Sequence, residues 1–408
     1  QEVLVSILLG DENIPVGKLW FHARGVRETA SFEYDKKWLI HPEKFELDPA
    51  LNLTEGAFHT KPGMSIFGSI GDSAPDRWGR VLMRRAEAAR AKSKNTTPST
   101  LLEIDYLLGV SDEIRQGALR FSVPAHESVF LASAKQASIP PLIDLPKLLS
   151  ATERFINNDE NTVDLKLLLA PGSSLGGARP KACIRDTDGS LAIAKFPRKD
   201  DEFNVVVWEV LALSLAEKAG IKVPVWRLEN ILGKPVLIIK RFDRKNTQRI
   251  PFLSAMSMLG AADNEQHSYL EIAYALAQYG SSPEEDMAEL WKRIVFTVMI
   301  SNTDDHLRNH GFIYERYKGW RLSPVYDVNP TPIDIKPRIL TTAIDFNDTS
   351  ASLDTALLVA QEFRLSNKQA KNIIQEVSIA VKQWRSVAAE LGLSKQECER
   401  MFSAFFHL

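Results

Sequence analysis

The string NTDDHLRNHGF at 302–312 holds residues whose types and spacing suit chemistry. Asp304 stands five positions ahead of Asn309. A carboxylate and a carboxamide so spaced on one short loop match the needs of phosphoryl transfer: the Asp orients or deprotonates an acceptor hydroxyl, and the Asn binds a metal ion. Beyond Asn309, HGFIYE and WRLSPVYD read as two strands joined by a turn through 316–319, so the chain doubles back and returns Asp327 toward Asn309. A carboxylate there can coordinate Mg2+ that bridges nucleotide phosphates. Asp305 rivals Asp304 as the base, although its spacing to Asn309 is one residue short. His306 is read as a positioning residue of the loop, beside the nucleotide. Asp and Asn are also common turn formers, so this string needs support from elsewhere.

That support lies upstream. The loop GSSLGGARPK at 172–181 sits between expected strands, and its glycines would let backbone N–H groups approach phosphate oxygens. Gly176, Gly177, Ala178 and Lys181 are the candidate nucleotide contacts, although the string is neither a Walker A motif nor G-x-G-x-x-G. Lys195 interrupts the apolar run LAIAKFP, either as a snorkelling surface lysine or as a ligand of ATP phosphates. Glu209, set between VVVW and VLAL, would need a partner if buried, and Lys195 is the natural one. The order is loop, lysine strand, glutamate helix, RFDR at 241–244, catalytic Asp, metal Asn and metal Asp, which is the order of a protein kinase.

Several elements must position these groups. Residues 1 to about 60 alternate short apolar runs with turn residues, as small antiparallel strands do. DSAPDRWGRVLMRRAEAARAKS begins a long helix with Asp72 or Ser73 as N-cap and Pro75 in the first turn, and a second helix spans 98–109. The Pro- and Ser-rich stretch 123–146 reads as a linker. Strands are expected over VDLKLLLA from 163, then KACIRD, LAIAKFP, VWRLEN and KPVLIIK, with a helix over 203–219 ended by Gly220. Apolar spacing of three and four predicts helices over 268–279, 283–301, 351–363, 367–391 and 394–406.

With these motifs in place, the sequence resembles the HipA family of serine/threonine kinase toxins of toxin–antitoxin systems. SLGGARPK, AKFP, RFDR, NTDDHLRN and LSPVYDV carry the resemblance, and DSAPDRWGR and QGALRF look like that family's small N-terminal subdomain. The resemblance implies an α+β, protein-kinase-like two-lobed fold: an N-terminal subdomain over 1–125, a kinase N-lobe over 147–244 and an all-helical C-lobe over 245–408. It also implies ATP and Mg2+ as cofactors, Asp304 as catalytic residue, and Asn309 and Asp327 as metal ligands. Lys195 would hold ATP phosphates, Phe242 in RFDR would form the adenine hinge, and Ser174, with Ser173 as alternative, would be autophosphorylated. Phosphate there would add nearly two negative charges to a loop that must hold anionic ATP. The implied partners are a HipB-like helix-turn-helix antitoxin and a protein substrate such as an aminoacyl-tRNA synthetase, with DNA reached mainly through the antitoxin. Gly176, Arg179-Pro180 and Lys240 depart from the pattern of the best-studied members.

Composition agrees with these expectations. A net charge of -2 lacks the electrostatic footprint of an autonomous DNA binder. Two cysteines, Cys183 and Cys398, cannot build a disulfide framework and fit the cytoplasm. QEVLVSILLG lacks the basic head of a signal peptide, and IVFTVMI at 294–300 is too short for a membrane span and reads as core. A small-metabolite kinase and a non-catalytic module that binds an antitoxin remain the competing functions.

Overall fold

The computed structural model describes residues 1–24, 27–126, 130, 139–172, 177–263 and 265–405. The fold is α+β, and the chain divides into two compact units. One comprises Gln1–Asp200 and Glu229–Leu253, the other Asp201–Leu228 and Ser254–Leu408.

In the first unit β1 (Glu2–Leu9), β2 (Glu12–Arg24), β3 (Arg27–Tyr34), β4 (Ala57–His59) and β5 (Leu119–Ser122) form a sheet in the order β4-β3-β2-β1-β5. Val3, Val5 and Ile7 alternate into the core, which is the period-two signal of the sequence. Gly17 permits the close β2–β3 approach, because a Cβ there would lie 2.4 Å from Glu33 O. A second sheet has the order β6-β7-β9-β8, built from β6 (Lys181–Arg185), β7 (Leu191–Lys195), β8 (Trp226–Ile231) and β9 (Lys234–Lys240). Trp78, Leu148, Phe155, Leu168, Ile184 and Ile238 share one core with this sheet.

Four expectations for this unit are corrected. The segment from 163 is not a strand but part of the helix Thr162–Gly172. Asn161 Oδ1 accepts from the backbone N–H groups of Val163 and Asp164 at 2.8 and 3.0 Å, and Asp164 binds Arg154. Leu165 and Leu168, three apart, then bury one helical face. The helix Arg77–Ser93 is capped by Asp76 rather than Asp72 or Ser73, because Asp72 already terminates the short helix Gly68–Gly71. The second helix is shorter than expected, Glu103–Gly109. Most of the expected linker lies outside the described residues, but its last part turns helical at Leu142–Asp144 and continues as Leu145–Ile156.

The second unit is mainly helical. Helix Val205–Lys218 is apolar nearly all round and buried over most of its length. Gly220, at φ +70°, follows its end. Helices Tyr269–Tyr279 and Pro283–Met299 start close to their expected positions, and residues 294–300 are buried as expected. The unit is not all helical: Gly311–Glu315 and Gly319–Leu322 pair antiparallel, with Phe312 opposite Leu322. The expected helix over 367–391 is divided into Asn367–Val381 and Trp384–Glu390. Beyond the break, Trp384 stacks on Phe405 with ring centroids 4.6 Å apart. Among the described residues, no helix is long and apolar enough to cross a membrane.

Candidate functional site

The loop 301–310 leaves the buried helix Pro283–Met299, turns through Ser301 at φ +52° and tightens into one 3-10 turn over Leu307–Asn309. Two adjacent aspartates part company here. The Asp304 side chain is 73% exposed and that of Asp305 is 7% exposed. Asp305 Oδ2 accepts from Tyr269 Oη at 2.5 Å and from Thr297 Oγ1 at 3.4 Å. Thr342 Oγ1 donates to the Asp305 carbonyl at 2.6 Å. His310 Nε2 lies 3.1 Å from Asp305 Oδ2. Burial pushes the Asp305 carboxyl up, yet His310, the Tyr269 hydroxyl and His306 outweigh it and hold the group below the usual carboxylate range. Burial and Asp305 together push the Tyr269 hydroxyl well above its ordinary value. Asp305 is thus a structural anchor, and Asp304 is the carboxylate open to solvent.

Asn309 is buried, and its side-chain amide donates to the Asp304 carbonyl at 3.1 Å. The amide oxygen takes no part in that bond and keeps its acceptor capacity. The strand pair then turns the chain back. Tyr326 Oη donates to the Arg308 carbonyl at 2.8 Å, Asn329 N to Asn302 Oδ1 at 3.3 Å, and Thr331 N to the Ser301 carbonyl at 3.2 Å. Asp327, half-buried at φ +56°, belongs to the segment that these bonds lay along the loop. Asn302 Nδ2, Thr303 Oγ1, His306 Nδ1 and Asn329 Oδ1 are buried with no hydrogen-bond partner among the described residues. With both ring nitrogens of His310, six such atoms lie in this loop and its facing segment, where buried polar groups ordinarily find partners.

The first unit carries the other candidates. Lys195, half-buried, ends β7 directly opposite Lys181, which starts β6 and is buried. Two lysines in cross-strand register concentrate positive charge at one end of the sheet. Gly177, at φ +83°, donates its N–H to the Asp76 carboxylate, and its carbonyl accepts from Trp78 N at 3.2 Å. Trp78 Nε1 donates to the Lys181 carbonyl at 2.9 Å. The DSAPDRWGR string is thus a clamp on the glycine loop, satisfying helix N–H groups and loop N–H groups together. Ala178 is exposed, while Ser173, Ser174 and Gly176 lie outside the described residues. Glu209 is buried on the helix Val205–Lys218 of the second unit.

The charged residues of RFDR have a structural role that their local pattern does not declare. Arg241 and Arg244 both contact the Asp243 carboxylate, at 2.6 and 2.8 Å, and all three side chains are buried. Asp243 also accepts from Gly117 N at 2.8 Å, and Arg241 donates to the carbonyls of Ile114 and Arg115. Burial pushes the Asp243 carboxyl up, but Arg241 and Arg244 hold it far below the usual range. RFDR therefore ties the QGALRF region to the second sheet. Phe242 sits 6.3 Å from Phe252 by ring centroids. The alternation of sign in Arg-Asp-Arg is the local trace of that role.

A family model described as the HipA-like C-terminal domain matches residues 173–384, which span the glycine loop, both lysines, RFDR and the loop 301–310. The chain belongs to the HipA-like family. This HipA-like chain shares its fold with a chain of the Shewanella oneidensis MR-1 toxin–antitoxin complex of HipA, HipB and operator DNA. The TM-score is 0.64 at 16% identity, over 98% of this chain and 95% of that one. A Haemophilus influenzae protein named "Putative kinase" is 29% identical over 30% of this chain and 41% of its own length. "Putative kinase Y4mE" of Sinorhizobium fredii is 23% identical over 41% of this chain and 44% of its own. The HipA-like chain therefore spans less than half the length of these curated relatives.

Proposed function

We propose that this HipA-like chain is a two-lobed, protein-kinase-like Mg-ATP-dependent serine/threonine kinase that acts as a toxin. The observation that carries the reading is the arrangement on 301–331: an exposed Asp304, an Asn309 whose amide oxygen keeps its acceptor capacity, and a chain segment that returns Asp327 to the same loop. Asp304 orients or deprotonates the acceptor hydroxyl. Asn309 and Asp327 offer hard oxygen donors of the kind Mg2+ takes alongside waters and phosphates, and the unpaired atoms of the loop fit a site completed by a ligand. Mg2+ would supply charge neutralisation on the phosphates. Lys195 and Lys181, with the backbone of 176–178, bind ATP phosphates in this reading, with Glu209, Phe242 and His306 as the further nucleotide-site residues.

Ser174, or Ser173, is the autophosphorylation site in this reading. The protein substrate is a translation component such as an aminoacyl-tRNA synthetase, in the cytoplasm. A HipB-like helix-turn-helix antitoxin is the proposed partner, supported by the HipB of the Shewanella oneidensis complex whose fold this chain shares, and it supplies most of the DNA contact. The deciding experiment is mass spectrometry of dephosphorylated protein after incubation with Mg-ATP. A phosphate-sized gain at Ser174 or Ser173 in the wild type, absent in Asp304→Ala, supports the reading. No gain and no nucleotide binding would favour a non-catalytic antitoxin-binding module.

A further inference from the structure

Among the described residues the Asp304 carboxylate makes one ion pair, with Lys336, at 3.2 Å from Nζ to Oδ1. Both side chains are solvent-exposed, and an isolated surface pair of this kind is weak. What distinguishes this pair is the chain on either side of Lys336. Thr331 N donates to the Ser301 carbonyl at 3.2 Å, while Thr341 N and Oγ1 both donate to the Thr303 carbonyl, at 3.2 and 2.9 Å. The excursion that carries Lys336 is thus stapled at both ends to the loop that carries Asp304.

Within it, Ile335 N and Lys336 N share the Pro332 carbonyl, at 3.1 and 3.2 Å. Pro330, Pro332 and Pro337 restrict the backbone further. The tip is held from outside by Ile333 N on Ser403 Oγ at 3.1 Å and by the Arg400–Asp334 pair. Arg338 donates to the Val298 and Ala351 carbonyls. Little freedom remains to the backbone that aims Lys336.

We infer that Lys336 is the positioning residue of Asp304: its ammonium holds Oδ1, which sets the carboxylate's rotamer and leaves Oδ2 for the acceptor hydroxyl. The inference rests on the proposed kinase reading. In the step it serves, the acceptor O–H proton passes to Oδ2 and the hydroxyl oxygen bonds to the γ-phosphorus of a nucleoside triphosphate. The bond from that phosphorus to the β-phosphate oxygen breaks, and its electron pair leaves with the nucleoside diphosphate. Holding an otherwise unrestrained carboxylate at the reacting distance is an orientational contribution.

The test is single-turnover phosphate incorporation into the full chain with Mg-ATP, together with ATP affinity from equilibrium fluorescence. The proteins are wild type, Lys336→Ala, Lys336→Arg, Asp304→Asn and the Lys336→Ala/Asp304→Asn double variant. Lys336→Ala should lose roughly 10- to 100-fold in rate with ATP affinity unchanged, and Lys336→Arg should recover most of the rate. On the Asp304→Asn background, Lys336→Ala should cost nothing further, because Lys336 acts through Asp304. Wild-type rate in Lys336→Ala, an equal loss on both backgrounds, or a loss of ATP affinity would each overturn the assignment while leaving the kinase reading intact. No incorporation by wild type would sink the kinase reading, and this assignment with it.

Discussion

Tyr269 Oη lies 2.5 Å from Asp305 Oδ2, one residue behind the exposed Asp304. The neighbouring carboxylates therefore have opposite duties: one is sunk into the helical unit as an anchor, and the other is held out by that anchor. The turn that carries Asp304 gives way at Asp305 to a buried side chain, and the Thr342 bond to the Asp305 carbonyl reinforces the division.

Removing the phenol should leave a buried carboxylate short of a donor. Tyr269→Phe is expected to lower stability by about 1–3 kcal/mol in urea denaturation. It should also lower the rate of any phosphate transfer, because the same bond fixes the loop. A variant with unchanged midpoint would show that Asp305 is satisfied without Tyr269.

The Asp243 pair should set part of the acid response. Its folded carboxyl binds a proton only far below the unfolded value of about 3.9, so the stabilisation is fully present above roughly pH 5 and declines as the pH falls below about 4. Asp243→Asn strands Arg241 and Arg244 without a counter-charge and should cost about 3–5 kcal/mol near pH 7. Thermal melts across pH 3 to 7 should show a shallower acid slope in the variant; an identical slope would refute this account.

The clamp on the glycine loop is separately testable. Asp76→Ala loses both the helix cap and the acceptor for Gly177 N–H, at about 0.5–2 kcal/mol for the cap. Because the loop end is then untied, ATP affinity should fall by more than the small stability loss explains, read by isothermal titration against Asp76→Asn.

Gly319 should resist substitution. It adopts φ +125°, and a Cβ there would lie 2.9 Å from Tyr279 O. Gly319→Ala is expected to cost about 1–3 kcal/mol, seen as a lower melting temperature, and to disturb the hairpin that brings Asp327 back.

Local signals made much of this protein legible. The helices of the second unit carry apolar residues three and four apart, with Ser268, Ser282, Ser352 and Ser366 at their starts, and both features act within one or two turns. Asp304 and Asn309 share one loop, so their spacing alone brings them together. The segment after 162 misled because a run of leucines suits either a buried strand or a helix, and the Asn161 cap and the Arg154 partner of Asp164 decided for helix.

The amino-acid sequence by itself determined the α+β class, the order of the motifs and the identity of the residues gathered on 301–310, because each depends on neighbours in the chain. Only the tertiary structure decided which of Asp304 and Asp305 faces water, that Lys336 arrives at Asp304, and that RFDR is locked to Gly117 through Asp243. Those contacts join residues 32, 36 and 126 positions apart. No periodicity reports such pairs: remote segments must first pack together, which brings exposed Lys336 to Asp304 and, at Asp305 and Asp243, removes the competing water so that each buried charge keeps the partners that reach it.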